Sequence, residues 1–97
     1  MDDFRVVDGS LRAEGVPVVA IAEAVGTPVY VYSRHTLLDH FRRLRDAYAE
    51  VNPLIRYAVK ANGNLAILKA LADEGAGFDV VSRGEIYRVM RVGADAG

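Results

Sequence analysis

A lysine that follows an apolar run is the residue of this sequence best suited to covalent chemistry. Lys60 closes the segment Leu54 to Lys60, whose nearly continuous apolar character predicts a strand buried on both faces of a parallel sheet. The carboxyl ends of such strands are where sites form in α/β proteins. Apolar surroundings favour the neutral amine that Schiff-base chemistry requires. The same position also suits a lysine that simply ends a strand and points into solvent.

Two carboxylates further along the chain are candidates for the same site. Asp79 lies inside the apolar segment Phe78 to Val81, where a carboxylate needs a partner to offset desolvation. A bond from a nearby backbone N–H at the edge of a strand would satisfy it equally well. Glu85 stands three residues after Ser82, and this spacing is typical of a capping box at the start of a helix.

Composition excludes several classes of function. The chain has 97 residues, 52% of them apolar, and a net charge of -1, so a nucleic-acid binder with a basic face is not expected. Without cysteine, disulfides, thiol catalysis and cysteine zinc sites are excluded. His35 and His40 have no ligand spacing with a carboxylate cluster, so no metal is predicted.

Hydropathy and the opening residues indicate a cytoplasmic protein with no membrane partner. No apolar run approaches the roughly 20 residues of a transmembrane helix. The acidic start, Met1 to Phe4, lacks the basic and apolar regions of a secretory signal.

The first third of the chain predicts a hairpin and a short helix. Phe4 to Val7 and Leu11 to Ala13 flank an Asp-Gly turn. From Pro17, apolar residues recur with helical spacing until Gly26, which is placed to end the helix.

From residue 29 onwards the pattern alternates between strands and helices. Strands are predicted at 29–32, 54–61 and 78–81, and amphipathic helices begin near Ser33, Leu65 and Ser82. The first helix carries an apolar stripe of Leu37, Phe41, Leu44 and Tyr48. This order predicts βαβ units with parallel strands, of which the chain is long enough to hold only the beginning of a (β/α)₈ barrel.

Four segments, in order, resemble the fold-type III decarboxylases that depend on pyridoxal phosphate. Tyr57-Ala58-Val59-Lys60-Ala61-Asn62 resembles the lysine motif of that family, and the segments 26–33 and 75–85 resemble its neighbouring motifs. The opening, residues 8–17, is most similar to the diaminopimelate decarboxylase branch. Gly63 departs from the pattern, which favours a small polar residue there.

The resemblance implies a fold, an activity and a site. Residues 1–33 would belong to a β-rich domain and residues 34–97 to the start of a TIM barrel, as the amino-terminal piece of a homodimeric enzyme. Lys60 would carry pyridoxal 5'-phosphate as an imine, with Asp79 and Glu85 nearby. The full-length enzyme would convert an amino-acid substrate, meso-2,6-diaminopimelate, to L-lysine and CO₂, whereas this chain alone is expected to be inactive. Open alternatives are an ornithine/arginine-type or carboxynorspermidine decarboxylase, or a non-catalytic barrel that binds the same cofactor.

Overall fold

The computed structural model describes residues 2–94, which form two compact units. The boundary between the units falls between His40 and Phe41, inside the longest helix. None of the helices among residues 2–94 has the length and apolar character needed to cross a membrane.

The first unit is built around a small antiparallel sheet. Asp8 and Gly9 both have positive φ, which the tight turn of a two-residue hairpin requires. Three strands pair in the order β1-β2-β3, and one helix follows directly. The predicted hairpin and short helix are therefore confirmed. Their bounds are Phe4–Val7 (β1), Ser10–Ala13 (β2), Val16–Pro17 (β3) and Val18–Val25 (α1).

The second unit contains a parallel strand pair with a helix between the strands. The two strands are in register from Arg56 opposite Gly77 to Ala58 opposite Asp79. This confirms the predicted parallel βαβ order from residue 56 onwards. The elements are Arg34–Ala47 (α2, which begins in the first unit), Arg56–Ala58 (β4), Leu65–Asp73 (α3), Gly77–Asp79 (β5) and Arg83–Arg91 (α4).

The strand predicted at residues 29–32 is wrong. This segment has no regular structure, and the Tyr30 side chain is 92% exposed. β-branched and aromatic residues favour a strand only where a neighbouring strand and a half-buried surface receive them. Within residues 2–94, no segment pairs with 29–32.

The other two strands are shorter than predicted. The ladder between β4 and β5 joins only three residue pairs, so the apolar residues beyond it, including Leu54 and Val81, stay exposed. Lys60 consequently lies on a single turn of 3₁₀ helix, Val59–Ala61, instead of on the strand itself. Residues 2–94 thus form a mixed α/β structure with two small sheets.

The core of the second unit is centred on α3. Leu68, Ala70 and Leu71 of this helix are buried, and so is Val59. The stripe predicted on α2 is only partly correct. Leu38 is the buried residue of that helix, while Leu44 and Tyr48 remain about half exposed because the described chain does not cover that side.

Candidate functional site

The 3₁₀ turn after β4 presents Lys60 at the surface. Val59, which precedes it, is 2% exposed and fixes the turn to the core. Lys60 itself is exposed, so the apolar enclosure expected from the sequence is not formed by residues 2–94. Its primary amine is therefore accessible to a carbonyl compound that approaches from solvent.

Lys60 borders an open depression of about 430 Å³. This volume lies within the range of small-molecule sites. Lys60 and Glu85, two of the candidate site residues, both line this depression, and so does Arg88, which sequence reasoning missed. The lining residues are Val59, Lys60, Asn62, Gly63, Asn64, Glu85 and Arg88.

The loop that leads from Lys60 to α3 is fixed by side chains at successive positions. The Tyr57 hydroxyl donates a hydrogen bond to the carbonyl of Asn62 at 3.0 Å. An Nη of Arg88 donates to the carbonyl of Gly63 at 3.1 Å. The Asn64 side chain accepts from the N–H of Ala66 at 2.9 Å and caps α3.

Ser82 and Glu85 organise the start of α4, as the capping-box spacing predicted. The Ser82 hydroxyl accepts from the Glu85 N–H at 3.1 Å. A Glu85 carboxylate oxygen accepts from the N–H of Val81 at 2.8 Å, one residue earlier than a capping box requires. Glu85 therefore combines a capping contact with a place in the wall of the depression.

Asp79 is the last residue of β5 and stands opposite Ala58 in the parallel register. Its side chain is exposed and is not among the residues that line the depression. Residues 2–94 form no ion pair between Asp79 and Lys60. The pairing of these two groups remains a prediction.

A second polar cluster, which the sequence did not reveal, surrounds the beginning of α2. Asp3 accepts hydrogen bonds from the Thr36 hydroxyl at 2.6 Å and contacts the Nδ1 of His35 at 2.8 Å. Glu14 accepts from the Ser33 hydroxyl at 2.7 Å and from the His35 N–H at 3.2 Å. Carboxylates at a helix N-terminus are favourable because its N–H groups are unpaired and the helix dipole is positive there.

The hydrogen bonds of this cluster shift three titrations. The Thr36 hydroxyl and then His35 hold the pKa of Asp3 below its ordinary value. The Ser33 hydroxyl and the His35 N–H lower the pKa of Glu14. The hydrogen bond to Asp3, together with the charge of that carboxylate, raises the pKa of His35.

No group of three or more histidine, aspartate and glutamate side chains among residues 2–94 is arranged to hold a metal ion.

Known proteins include relatives of this chain. A family model described as pyridoxal-dependent decarboxylase, pyridoxal binding domain, matches residues 34–97. The chain is 53% identical over 87 residues to diaminopimelate decarboxylase of Neisseria meningitidis serogroup A, covering 90% of this chain and 21% of that protein. It is 52% identical over 95 residues to diaminopimelate decarboxylase of Pseudomonas aeruginosa, covering 98% of this chain and 23% of that protein.

The chain is also similar to solved structures of diaminopimelate decarboxylase. The crystal structure of diaminopimelate decarboxylase from M. jannaschii in co-complex with L-lysine superposes with a TM-score of 0.87 at 35% identity, covering 94% of this chain and 22% of that one. The chain thus spans less than a quarter of the length of these relatives.

The parallel pair of β4 and β5, with a helix between the strands, makes the second unit an α/β structure, and it carries an accessible lysine on the turn after β4. More specifically, the chain belongs to the family of pyridoxal-dependent decarboxylases, through their pyridoxal binding domain.

Proposed function

We propose that this chain is the lysine-bearing part of a decarboxylase that uses pyridoxal 5'-phosphate to convert meso-2,6-diaminopimelate into L-lysine and CO₂. The observation that carries the proposal is the identity of 50% or more with proteins named diaminopimelate decarboxylase over 95 or more residues, which include Lys60 and its loop. The L-lysine in the co-complex of the M. jannaschii protein is the product of the proposed reaction and so supports it.

The residues present fit this cofactor. An exposed primary amine stands at the rim of a depression that is large enough for a small molecule. Lys60 is one of only two lysines in the chain, and Lys69 lies on α3 in an ion pair with Asp73. When bound, pyridoxal phosphate supplies an electron sink for the bond to the departing carboxylate.

The roles of the chain's own residues follow from their positions. Lys60 would hold the cofactor covalently through its amine. Glu85 would present a carboxylate to the same depression while its other contact keeps α4 in place. Asp79, at the end of the neighbouring strand, would pair with Lys60 once the site is complete.

The wider architecture belongs to the same proposal. Residues 1–33 would be part of a β-rich domain and residues 34–97 the first two units of a TIM barrel. The complete enzyme would be a cytoplasmic homodimer. Support comes from the parallel β4–β5 pair, from the match of the family model to residues 34–97 and from the structural relatives.

The test is a chimera in which this chain replaces the matching segment of the Pseudomonas aeruginosa relative. We expect the chimera to release CO₂ from meso-diaminopimelate with a higher kcat/KM than from ornithine, arginine or lysine. Lys60→Arg keeps the positive charge but removes the primary amine, and should lower kcat by at least about 10³-fold.

Lys69→Arg is the matched control, because it makes the same change on a helix where arginine can keep the ion pair with Asp73. Its kcat should stay within about twofold of the unmodified chimera, as is usual for surface substitutions. Borohydride reduction and peptide mapping should place the pyridoxyl group on Lys60. A pyridoxyl group on Lys69, or preference for a basic monocarboxylic amino acid, would contradict the proposal.

A further inference from the structure

Two side chains from different elements bind consecutive carbonyls of the loop that follows Lys60. Tyr57 on β4 donates to Asn62, and Arg88 on α4 donates to Gly63. Inside the loop, the Asn62 side chain accepts from the Asn64 N–H at 2.9 Å. The loop is therefore fixed from both sides, although it has no regular structure of its own.

The contact from Arg88 links elements that are distant in sequence. Arg88 and Gly63 are 25 residues apart, whereas Tyr57 and Asn62 are five residues apart. The Cδ of Arg88 lies 3.5 Å from the position that a Cβ on Gly63 would occupy, so the arginine stem also covers this glycine. The Arg88 side chain thus connects α4, the helix that carries Glu85, to residues 62–64, the loop that follows Lys60 and is called the lysine loop below.

We propose that Arg88 is a positioning residue, which orients Lys60 by holding the Gly63 carbonyl and so fixes the distance between the lysine loop and Glu85. This inference rests on the proposed role of Lys60. Arg88 would affect the reaction only through the position of Lys60, without touching the cofactor or the substrate. Hydrogen bonds from a charged guanidinium are stronger than those between neutral groups, so this contact is suited to holding an exposed loop.

Amide hydrogen exchange on the 97-residue chain without cofactor tests the contact directly. Arg88→Met keeps the stem over Gly63 but removes the donor. It should speed exchange in the peptide covering residues 60–66 roughly fivefold, the change that corresponds to one lost hydrogen bond. Arg88→Lys, which retains a donor, should recover part of the protection. Arg91→Met, on the same helix, should change nothing in this peptide.

Competition between the two lysines provides a readout that general destabilisation would not produce. With limiting pyridoxal phosphate and borohydride, the ratio of pyridoxyl groups on Lys60 to those on Lys69 should fall several-fold in Arg88→Met and stay unchanged in Arg91→Met. Peptide mapping identifies each labelled lysine.

The outcomes separate the two proposals. If Arg88→Met leaves exchange in residues 60–66 unchanged, or raises it equally in the β1–β2 hairpin, Arg88 is not a positioning residue. If borohydride reduction of the chimera places no pyridoxyl group on Lys60 while Arg88→Met still loosens the loop, the proposed role of Lys60 is contradicted and the contact of Arg88 stands.

Discussion

Glu85 has both a structural contact and a proposed chemical role, and one substitution distinguishes them. Glu85→Gln retains an oxygen that can accept from the Val81 N–H, but it removes the negative charge beside Lys60. We expect the free energy of unfolding to change by less than about 0.5 kcal/mol. In the chimera, kcat should fall by at least about 10-fold if the carboxylate acts on the cofactor or substrate.

The control for Glu85→Gln is Ser82→Ala, which removes the hydroxyl that caps α4. This change should lower stability by about 1 kcal/mol with kcat unchanged once the protein is folded. A loss of stability in Glu85→Gln with kcat unchanged would mean that Glu85 acts only as a cap. Urea unfolding and steady-state kinetics on the same preparations give both quantities.

The sequence identified some site residues more readily than others, for reasons of distance along the chain. Lys60 stands out because a lysine rarely follows an apolar strand, and Glu85 because capping follows a fixed local spacing. Arg88 looks like any exposed arginine on an amphipathic helix. Its partner is a backbone carbonyl 25 residues away. Every residue has such a carbonyl, so the amino-acid sequence does not indicate which one the arginine binds.

At the level of elements, the start of α2 should respond to pH. Asp3 and Glu14 have lowered pKa values in the folded chain, so their stabilising contribution is present above their ordinary values and is lost as the pH falls through the folded ones. His35 has a raised pKa, so its contribution is present below its ordinary value and is lost as the pH rises through the folded one. The hydrogen bonds of Asp3, Glu14 and His35 should therefore stabilise the start of α2 most between about pH 4.3 and 6.5.

Hydrogen exchange of the first turn of α2, followed from pH 3 to pH 9 after correction for intrinsic rates, measures this dependence. His35→Gln should remove the loss of protection on the alkaline side but keep a loss on the acid side, because Thr36 still binds Asp3 and Ser33 still binds Glu14. If the alkaline loss persists in His35→Gln, the response does not come from the contact between His35 and Asp3.

Elements differed in how well the sequence predicted them. The hairpin and the helices follow local rules, such as the Asp8-Gly9 turn, the Ser33 and Ser82 caps and the glycine that ends α3. Strands depend on a neighbour. Residues 29–32 have strong β-propensity but no ladder in the described chain, and β4 ends at Ala58 because β5 offers only three partners. The β-propensity of the residues indicated where the chain is extended, but only the segments that pair with a neighbouring strand form β-strands.

At the scale of the whole molecule, exposed apolar side chains should promote self-association. Val51, Leu54 and Val81 are 72%, 68% and 67% exposed, and Leu54 and Val81 lie in sequence just outside the two short strands β4 and β5. Exposed apolar strand edges pair readily with another chain, and a net charge of -1 provides little repulsion. Sedimentation velocity on the 97-residue chain should therefore show association that grows with concentration.

Charged substitutions provide the matched comparison for this prediction. Leu54→Lys together with Val81→Lys should weaken association at least several-fold, whereas Val7→Lys, on the hairpin of the first unit, should have a smaller effect. A single monomeric species at every concentration, in the unmodified chain, would show that these exposed residues do not drive contact between copies.

The ion pair between Lys69 and Asp73 has a practical consequence for spectroscopy. A sample labelled with ¹⁵N only in its lysine side chains would give two ammonium resonances, because the chain contains two lysines. Lys69 can be assigned by the change that Asp73→Asn causes in its signal, since the two groups are 2.9 Å apart. The remaining resonance then belongs to the Nζ of Lys60, and its chemical shift reports the surroundings of that atom without any chemical group attached to the protein.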